Sequence, residues 1–534
     1  MATRRRPPPV PGVGFPYLEA TIAGLQADMA AGRLTARDLT VAYVDRIREL
    51  DQDGPALRSV IEVNPDAVEI AAMLDEERHR SGPRGPMHGI PVLLKDNIAT
   101  ADRLQTTAGS LALVGIRPTA EAHLATRLRN AGAVILGKTN LSEWANIRSS
   151  GSTSGWSARG GQTRNPYALD RNPSGSSSGS AVAITANLAV VAVGTETDGS
   201  IVSPASINGL VGLKPTVGSV SRHGIIPISH TQDTAGPMAR TLADAAALLT
   251  AMAGADNADP ATVTAGPATD TAGPATAKAT AKADPRDYSE CLDAGALRGA
   301  RLGVVRHAFG DNPSVAAVVD WALEALAAAG AVLVDPVTLK HSNRLAAPEF
   351  EVLLYELNDG LGTWLRQFAP DAPVQSLREL IAWNEAHAGE ELALFGQDQF
   401  EAAVRRRSLT DRRYQNALAR CRRYSRDEGI DATLARHQLD ALVAPTGSPA
   451  WLTDEVNGDP DSGSFSSPAA VAGYPHLTVP AGLVRGLPVG LSFVGPAWSE
   501  ARLLGLGYAF EQATKARRPP TFAPTLPAPP DRVP

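Results

Sequence analysis

Cysteine is scarce in this chain of 534 residues, which contains only Cys291 and Cys421. Two cysteines cannot build a disulfide framework, and neither of them stands in a spacing typical of metal ligands. The ten histidines are scattered along the sequence, without an HExxH pattern or another ligand spacing. The sequence therefore predicts no metal site, and structural roles are favoured for the histidines.

Long apolar runs are missing as well. None approaches the roughly 18 residues that a membrane-spanning helix needs, so no membrane partner is expected. The stretch MATRRRPPPVPG at residues 1–12 is positively charged but contains no apolar segment. No signal peptide is therefore visible, and we expect a cytoplasmic location, although a secreted form whose signal has been removed would show the same pattern.

Basic residues are slightly fewer than acidic residues, and few of the basic residues are lysines. The chain has 50 Lys and Arg against 56 Asp and Glu, a formal net charge of −6 without a basic stripe, which argues against a nucleic-acid partner. Only seven of the basic residues are lysines, at positions 95, 138, 214, 278, 282, 340 and 515. Lys95 lies within the apolar run IPVLLKDNI, which favours lysine chemistry, because a buried ammonium group can lose its proton whereas a guanidinium stays charged. The alternative is a lysine at a strand end that extends its ammonium to solvent.

Residues 173–200, PSGSSSGSAVAITANLAVVAVGTETDGS, contain two Gly/Ser loops that bracket one helix and one strand. Such loops return to the same end of a sheet, which predicts that Ser176 and Ser200 lie close together. A serine nucleophile needs a neighbouring base and preorganised donors for the oxyanion. The upstream Lys95 is the candidate base. The second loop offers candidate donors in the successive backbone N–H groups of Thr197, Asp198 and Gly199.

Two short motifs in the chain suggest other activities, which we do not favour. Residues 132–139, GAVILGKT, match the phosphate-loop pattern, but their variable positions are themselves the predicted strand, so nucleotide binding is disfavoured. Residues 175–179, GSSSG, fit the nucleophile elbow of α/β-hydrolases, but no strand precedes them. The S-x-x-K pattern occurs at none of the seven lysines, which excludes the penicillin-binding arrangement.

Several segments resemble the amidase signature family, most closely its peptide amidases, which hydrolyse C-terminal carboxamides. They are IPVLLKDNI (90–98), SGSSSGS (174–180), GTETDGSI (194–201), GLKPT (212–216) and DTAGPMARTLADAA (233–246). The resemblance runs from about Leu18 to about Arg518. It implies a Ser–Ser–Lys triad with Lys95 as base, Ser176 as the bridging serine after a cis peptide bond and Ser200 as nucleophile. It implies no cofactor.

Three positions depart from the family pattern. The usual double glycine before Ser176 is Ser174-Gly175, the usual Asp is Glu196, and a usual Gly is Asp198. Asp198 lies within the turn that should hold the oxyanion, where it either braces the turn or contacts substrate. For the substrate pocket the sequence predicts Trp144 and Ser177, with core packing an equal alternative for Trp144.

Alternating strands and helices predict an α/β fold. The resemblance implies a single large domain, a mixed β-sheet covered by helices on both faces. We expect a disordered tail at 1–15, the amidase domain at 16–518 with a mobile low-complexity insert at 255–287, and a disordered Pro-rich tail at 519–534.

The reaction that the resemblance implies is hydrolysis of a small-molecule or peptide amide to carboxylate and ammonia, by a monomer or homodimer. Two alternatives stay open: an amidase for small aryl or aliphatic amides, and the ammonia-supplying subunit of a tRNA-dependent amidotransferase. The acidic balance argues against the latter. A non-catalytic scaffold is disfavoured because all three chemical positions are filled.

Overall fold

The computed structural model describes residues 14–264, 287–460 and 463–527. Within these residues eleven strands form one mixed sheet, in the order β1-β3-β2-β6-β8-β7-β12-β13-β11-β9-β10, and β4 pairs with β5. The strands are β1 (Val60–Val63), β2 (Pro91–Lys95), β3 (Val134–Thr139), β4 (Trp156–Ser157), β5 (Gly161–Gln162), β6 (Val191–Glu196), β7 (Val211–Lys214), β8 (Thr234–Ala239), β9 (Arg301–Val304), β10 (Val332–Val334), β11 (Ala441–Pro445), β12 (His476–Val484) and β13 (Leu487–Val494).

Helices flank this sheet, which confirms the predicted α/β class and the single large domain. They are α1 (Ile22–Ala30), α2 (Ala36–Arg46), α3 (Ala67–Ser81), α4 (His123–Asn130), α5 (Ser178–Thr185), α6 (Val202–Ile207), α7 (Leu242–Met252), α8 (Pro260–Thr264), α9 (Pro313–Ala328), α10 (Ala346–Phe368), α11 (Leu377–Ala386), α12 (Ala388–Glu391), α13 (Asp398–Val404), α14 (Arg412–Arg422), α15 (Asp431–His437), α16 (Ser467–Ala472) and α17 (Glu500–Thr514). In the described part of the chain, no helix is both long and apolar enough to cross a membrane.

The centre of the sheet is buried on both faces. Every residue of β2, β3 and β6 is buried, as expected of parallel strands that helices cover. Helix α5 packs on β2 and β6, α7 packs on β8, and α9 and α17 pack on β12.

Strand β2 runs parallel to both β3 and β6, with Leu94 opposite Val193. Because parallel strands end at the same edge, the last residue of β2, Lys95, lies beside the turn that follows β6. This register positions the candidate site.

Helices α10 to α14 pack on one another and form a helical layer. Helix α10 is the longest of the described helices and packs on α13 and α14. Its buried face includes Leu354, Leu361 and Leu365, which follow helical spacing. The first turn of α10 reaches the loops at the end of β6, so this layer forms part of the candidate site.

Three segments that we expected to be disordered are packed where the structure describes them. The Arg46 guanidinium lies over the Phe15 ring, 4.5 Å from the ring centroid. In the expected mobile insert at 255–287, Asp259 and Thr262 are buried, so the first residues of this segment are packed. In the expected C-terminal tail, the Phe522 N–H donates to Pro166 O at 2.9 Å. Residues 1–13, 265–286 and 528–534 of these expected segments lie outside the described residues.

Candidate active site

Lys95 is the last residue of β2, and its side chain is fully buried. Its Nζ donates to Ser176 Oγ at 2.7 Å and to Thr195 O at 3.2 Å. Burial lowers the pKa of Lys95 to about 7, although the negative charges of Glu196 and Asp233 oppose this shift. A large fraction of the molecules therefore holds a neutral amine beside a hydroxyl group near pH 7.

Ser176 follows a cis peptide bond from Gly175 and is fully buried. Its carbonyl accepts from the Ser142 N–H at 3.1 Å, which joins this loop to the segment after β3. A side chain at Gly175 would collide with Ser142 Oγ, so only glycine fits there. The close packing fixes the Ser176 hydroxyl against Lys95.

Ser200 lies in the turn after β6, and the Ser177 N–H donates to its carbonyl at 3.1 Å. The two Gly/Ser loops therefore meet, as the sequence predicts. Within the described residues, Ser200 Oγ forms no hydrogen bond, and the two loops are joined here through the backbone of Ser177 and Ser200. Ser200 is 8% exposed, whereas Lys95 and Ser176 are fully buried. Of the three side chains, Ser200 is thus the one that a ligand can reach.

The turn before Ser200 presents unpaired backbone donors. Among the hydrogen bonds of the described residues, none is donated by the N–H groups of Thr197, Asp198 and Gly199. The two N–H groups after Ser200, those of Ile201 and Val202, donate to Glu196 Oε2 at 2.7 and 3.0 Å. Glu196 thus fastens the start of α6 and leaves the preceding donors free. Such a turn suits an anion.

Asp198 is fixed from two sides. Its Oδ2 accepts from Ser467 Oγ at 2.6 Å, and its carboxyl group is in hydrogen-bond contact with Glu349. Both partners belong to helices, Ser467 to α16 and Glu349 to α10. The side chain therefore has a bracing position.

The two residues predicted for the substrate pocket lie in the interior. Ser177 is fully buried, and its Oγ donates to Thr195 O at 3.0 Å and accepts from Thr195 N at 3.2 Å. Its hydroxyl therefore supports the loop, and we correct its placement in the pocket. Trp144 is 3% exposed and packs edge-on against Phe400, with ring centroids 5.9 Å apart. This position matches core packing, the alternative that the sequence left open.

Sequence reasoning missed three residues that hold the turn. They are Gln232, Glu349 and Ser467. Gln232 Nε2 donates to Thr197 O at 3.3 Å and to Glu349 Oε1 at 2.9 Å. Gln232 directly precedes the segment 233–246, which offered a signal for it. Glu349 and Ser467 belong to helices without a motif, so nothing in the sequence pointed to them.

The described residues contain no group of three or more His, Cys, Asp or Glu side chains arranged to hold a metal ion. The site itself brings together two serines, one buried amine and a row of backbone N–H groups. Together they can activate a hydroxyl nucleophile and stabilise an oxyanion.

Comparisons with known proteins identify the family of this chain. The family model described as Amidase matches residues 38–504. The native peptide amidase from Stenotrophomonas maltophilia, a solved structure, is 55% identical with a TM-score of 0.88, covering 95% of this chain and 99% of that one. A probable amidase of Arabidopsis thaliana is 40% identical over 517 residues, 95% of this chain and 92% of the relative. A glutamyl-tRNA(Gln) amidotransferase subunit from Halorhodospira halophila is 37% identical over 507 residues, 93% of this chain and 97% of the relative. The chain therefore belongs to the amidase family and is an amidohydrolase that acts on amides.

Proposed function

We propose that this amidohydrolase hydrolyses the C-terminal carboxamides of peptides to carboxylate and ammonia, through an acyl-enzyme on Ser200. The observation that carries the catalytic part is the 2.7 Å contact between buried Lys95 Nζ and Ser176 Oγ beside the Ser200 turn. The peptide part is supported by the 55% identity to the Stenotrophomonas maltophilia peptide amidase over nearly the whole of both chains.

The first half-reaction forms the ester and releases ammonia. Ser200 Oγ attacks the carboxamide carbon while its proton passes to Ser176 Oγ, and the proton of Ser176 passes to neutral Lys95 Nζ. The carbon–nitrogen bond then breaks, and the same relay returns a proton to the leaving NH₂ group, which departs as ammonia. A side chain that is neutral near pH 7 suits this role, because the base must first accept a proton.

The second half-reaction consumes water. The relay takes a proton from the water as its oxygen attacks the ester carbon, and returning that proton to Ser200 Oγ releases the carboxylic acid, which then loses its proton to solvent to give the carboxylate. In both halves the N–H groups of Thr197, Asp198 and Gly199 surround the place where the oxyanion develops. Loss of one such donor typically costs about 2.7–4 kcal/mol of transition-state stabilisation.

A substrate panel tests the proposal against its two alternatives. The purified single chain is assayed for ammonia release from a peptide amide, from benzamide and from glutamine. We expect kcat/KM to be highest for the peptide amide. Preference for benzamide would show a small-amide amidase. Preference for glutamine would favour the amidotransferase role, which the 37% identity to the Halorhodospira halophila protein keeps in view.

A further inference from the structure

Glu349 is a buried carboxyl group that the mechanism above does not use. It lies in the first turn of α10 and is 6% exposed. Its Oε1 accepts from Gln232 Nε2 at 2.9 Å, and the carboxyl group is in hydrogen-bond contact with Asp198, two residues before Ser200. A helix distant in sequence therefore touches the turn of the nucleophile.

Two carboxyl groups in contact cannot both be ionised without strong repulsion, so one proton lies between them. Asp198 has one oxygen open to such a contact, because Oδ2 accepts from Ser467 Oγ while Oδ1 is buried and accepts from no hydroxyl or N–H group among the described residues. Burial, and after it the charge of Asp198, raises the pKa of Glu349 well above its ordinary range. This direction favours Glu349 as the group that holds the proton.

We propose that Glu349 is a positioning residue, whose protonated carboxyl donates a hydrogen bond to Asp198 and so holds the turn that carries Ser200 and the oxyanion donors. This inference rests on the proposed function of that turn. Gln232 completes the support, because it links Thr197 O to the same carboxyl group of Glu349. When Glu349 ionises, two negative charges face each other and the turn is pushed out of position.

Other titratable groups face Glu349 and Asp198, and the effects of their titration must be distinguished from those of Glu349. Cys421 of α14 faces Glu349, but burial raises the pKa of its thiol to about 12. Lys214 of β7 and Glu196 of β6 face Asp198. Burial lowers the pKa of Lys214 to about 8, so a falling limb that comes from Lys214 would remain in Glu349→Gln, whereas a limb that comes from Glu349 would be lost. Glu356, two turns along α10, is bound by Ser229 and Tyr414, 2.5 and 2.6 Å away.

The test is the pH profile of kcat/KM for the peptide amide, in the full-length chain and in Glu349→Gln. The wild-type rate should rise through about pH 7 as Lys95 loses its proton, and fall at higher pH as Glu349 ionises. A glutamine amide donates to Asp198 at every pH. Glu349→Gln should therefore keep the rising limb and lose the falling limb, whereas Glu349→Ala should lose on the order of 10²-fold through misplacement of the turn.

Two further variants sharpen the result. Asp198→Asn supplies a permanent donor from the other side, so it should also remove the falling limb. Glu351→Gln is the matched control, because Glu351 lies in the same turn of α10 but pairs with Arg406 and Arg413 instead of the nucleophile turn. Its profile should match the wild type. A wild-type profile without a falling limb, or a limb that Glu349→Gln retains, would overturn the proposal.

Unfolding supplies a readout that does not depend on the substrate. The pKa of Glu349 is higher in the folded than in the unfolded chain, so its contribution to stability is full below the unfolded pKa and is lost as pH rises through the folded pKa. Glu349→Gln should abolish that loss, measured as free energy of unfolding against pH. If the enzyme does not hydrolyse the peptide amide, the proposed substrate is wrong. The pH series is then measured with whichever amide of the panel the enzyme does hydrolyse. If Glu349→Gln leaves the pH dependence of the free energy of unfolding unchanged, the proposal that Glu349 and Asp198 share a proton is wrong.

Discussion

At the scale of single residues, the site depends on how burial changes an ordinary side chain. Lys95 is fully enclosed, and its pKa is lowered to about 7, whereas an exposed lysine would be charged at every physiological pH. The apolar run around Lys95, together with the rarity of lysine, singles out this position in the sequence. The sequence did not show that Ser177 would be buried and bound to Thr195. Adjacent serines in a Gly/Ser loop differ only in the direction of their side chains, which the sequence does not give.

Lys95→Arg should be nearly as damaging as Lys95→Ala, because a permanent cation cannot accept a proton. We expect each to lower kcat/KM by ~10²–10⁴-fold, the usual contribution of a general base. Steady-state assays on the peptide amide measure the loss, and circular dichroism confirms that each variant folds. An arginine variant that keeps a tenth or more of the activity would show that charge alone matters at this position.

Asp198→Gly should slow neutral, basic and acidic peptide amides alike. The contact with Ser467 and Glu349 gives Asp198 a bracing position, so its loss loosens the turn for every substrate. Relative kcat/KM on a panel of three peptides measures this. A change of preference among the three, with the best substrate unaffected, would instead show that Asp198 contacts substrate.

At the scale of elements, the sequence predicted what depends on local pattern. The Thr35-Ala-Arg-Asp38 pattern is typical of a helix start, and Thr35 Oγ1 accepts from the Asp38 N–H at 3.0 Å at the start of α2. Strand β6 extends to Glu196, because its last residues pair with β8. Pairing between strands that are distant in sequence leaves no pattern in the local sequence of either strand. For the same reason the packing of Asp259 against Arg222 was missed.

Asp259→Asn should destabilise the fold, although it lies in a segment of low complexity. Asp259 pairs with Arg222, and both side chains are largely buried. Breaking a buried pair leaves a charge unmatched and costs about 3–5 kcal/mol. Urea unfolding measures the change, with Asn257→Ala, an exposed neighbour, as a control expected within about 0.5 kcal/mol of the wild type. Equal stability of both variants would show that the pair of Asp259 with Arg222 does not hold this segment.

At the scale of the whole molecule, one domain combines a buried sheet with a helical layer that reaches its catalytic edge. Arg148 fastens the two, since it is fully buried, pairs with Glu143 and donates to Glu391 O at 2.6 Å. Its guanidinium also lies 4.1 Å from the Phe395 ring centroid. Family resemblance implied the overall architecture. The hydrogen bond between Arg148 and Glu391, which are 243 residues apart, could not be predicted from sequence pattern.

Arg148→Leu should destabilise the whole domain by about 3–5 kcal/mol, because it leaves Glu143 buried and unpaired. The double variant Arg148→Leu, Glu143→Leu removes both charges and should recover part of that loss. Urea unfolding followed by fluorescence and by circular dichroism measures both. A single variant as stable as the wild type would show that the helical layer is held without this residue.

The central claim is that Ser200 carries the acyl group, and ammonia release by Ser200→Ala tests it most directly. The peptide amide is the substrate, and Ser203→Ala, one turn further along, is the matched control. The account predicts that Ser200→Ala folds normally and loses activity by ~10⁴-fold or more, while Ser203→Ala stays active. Near-normal ammonia release by Ser200→Ala would contradict the account.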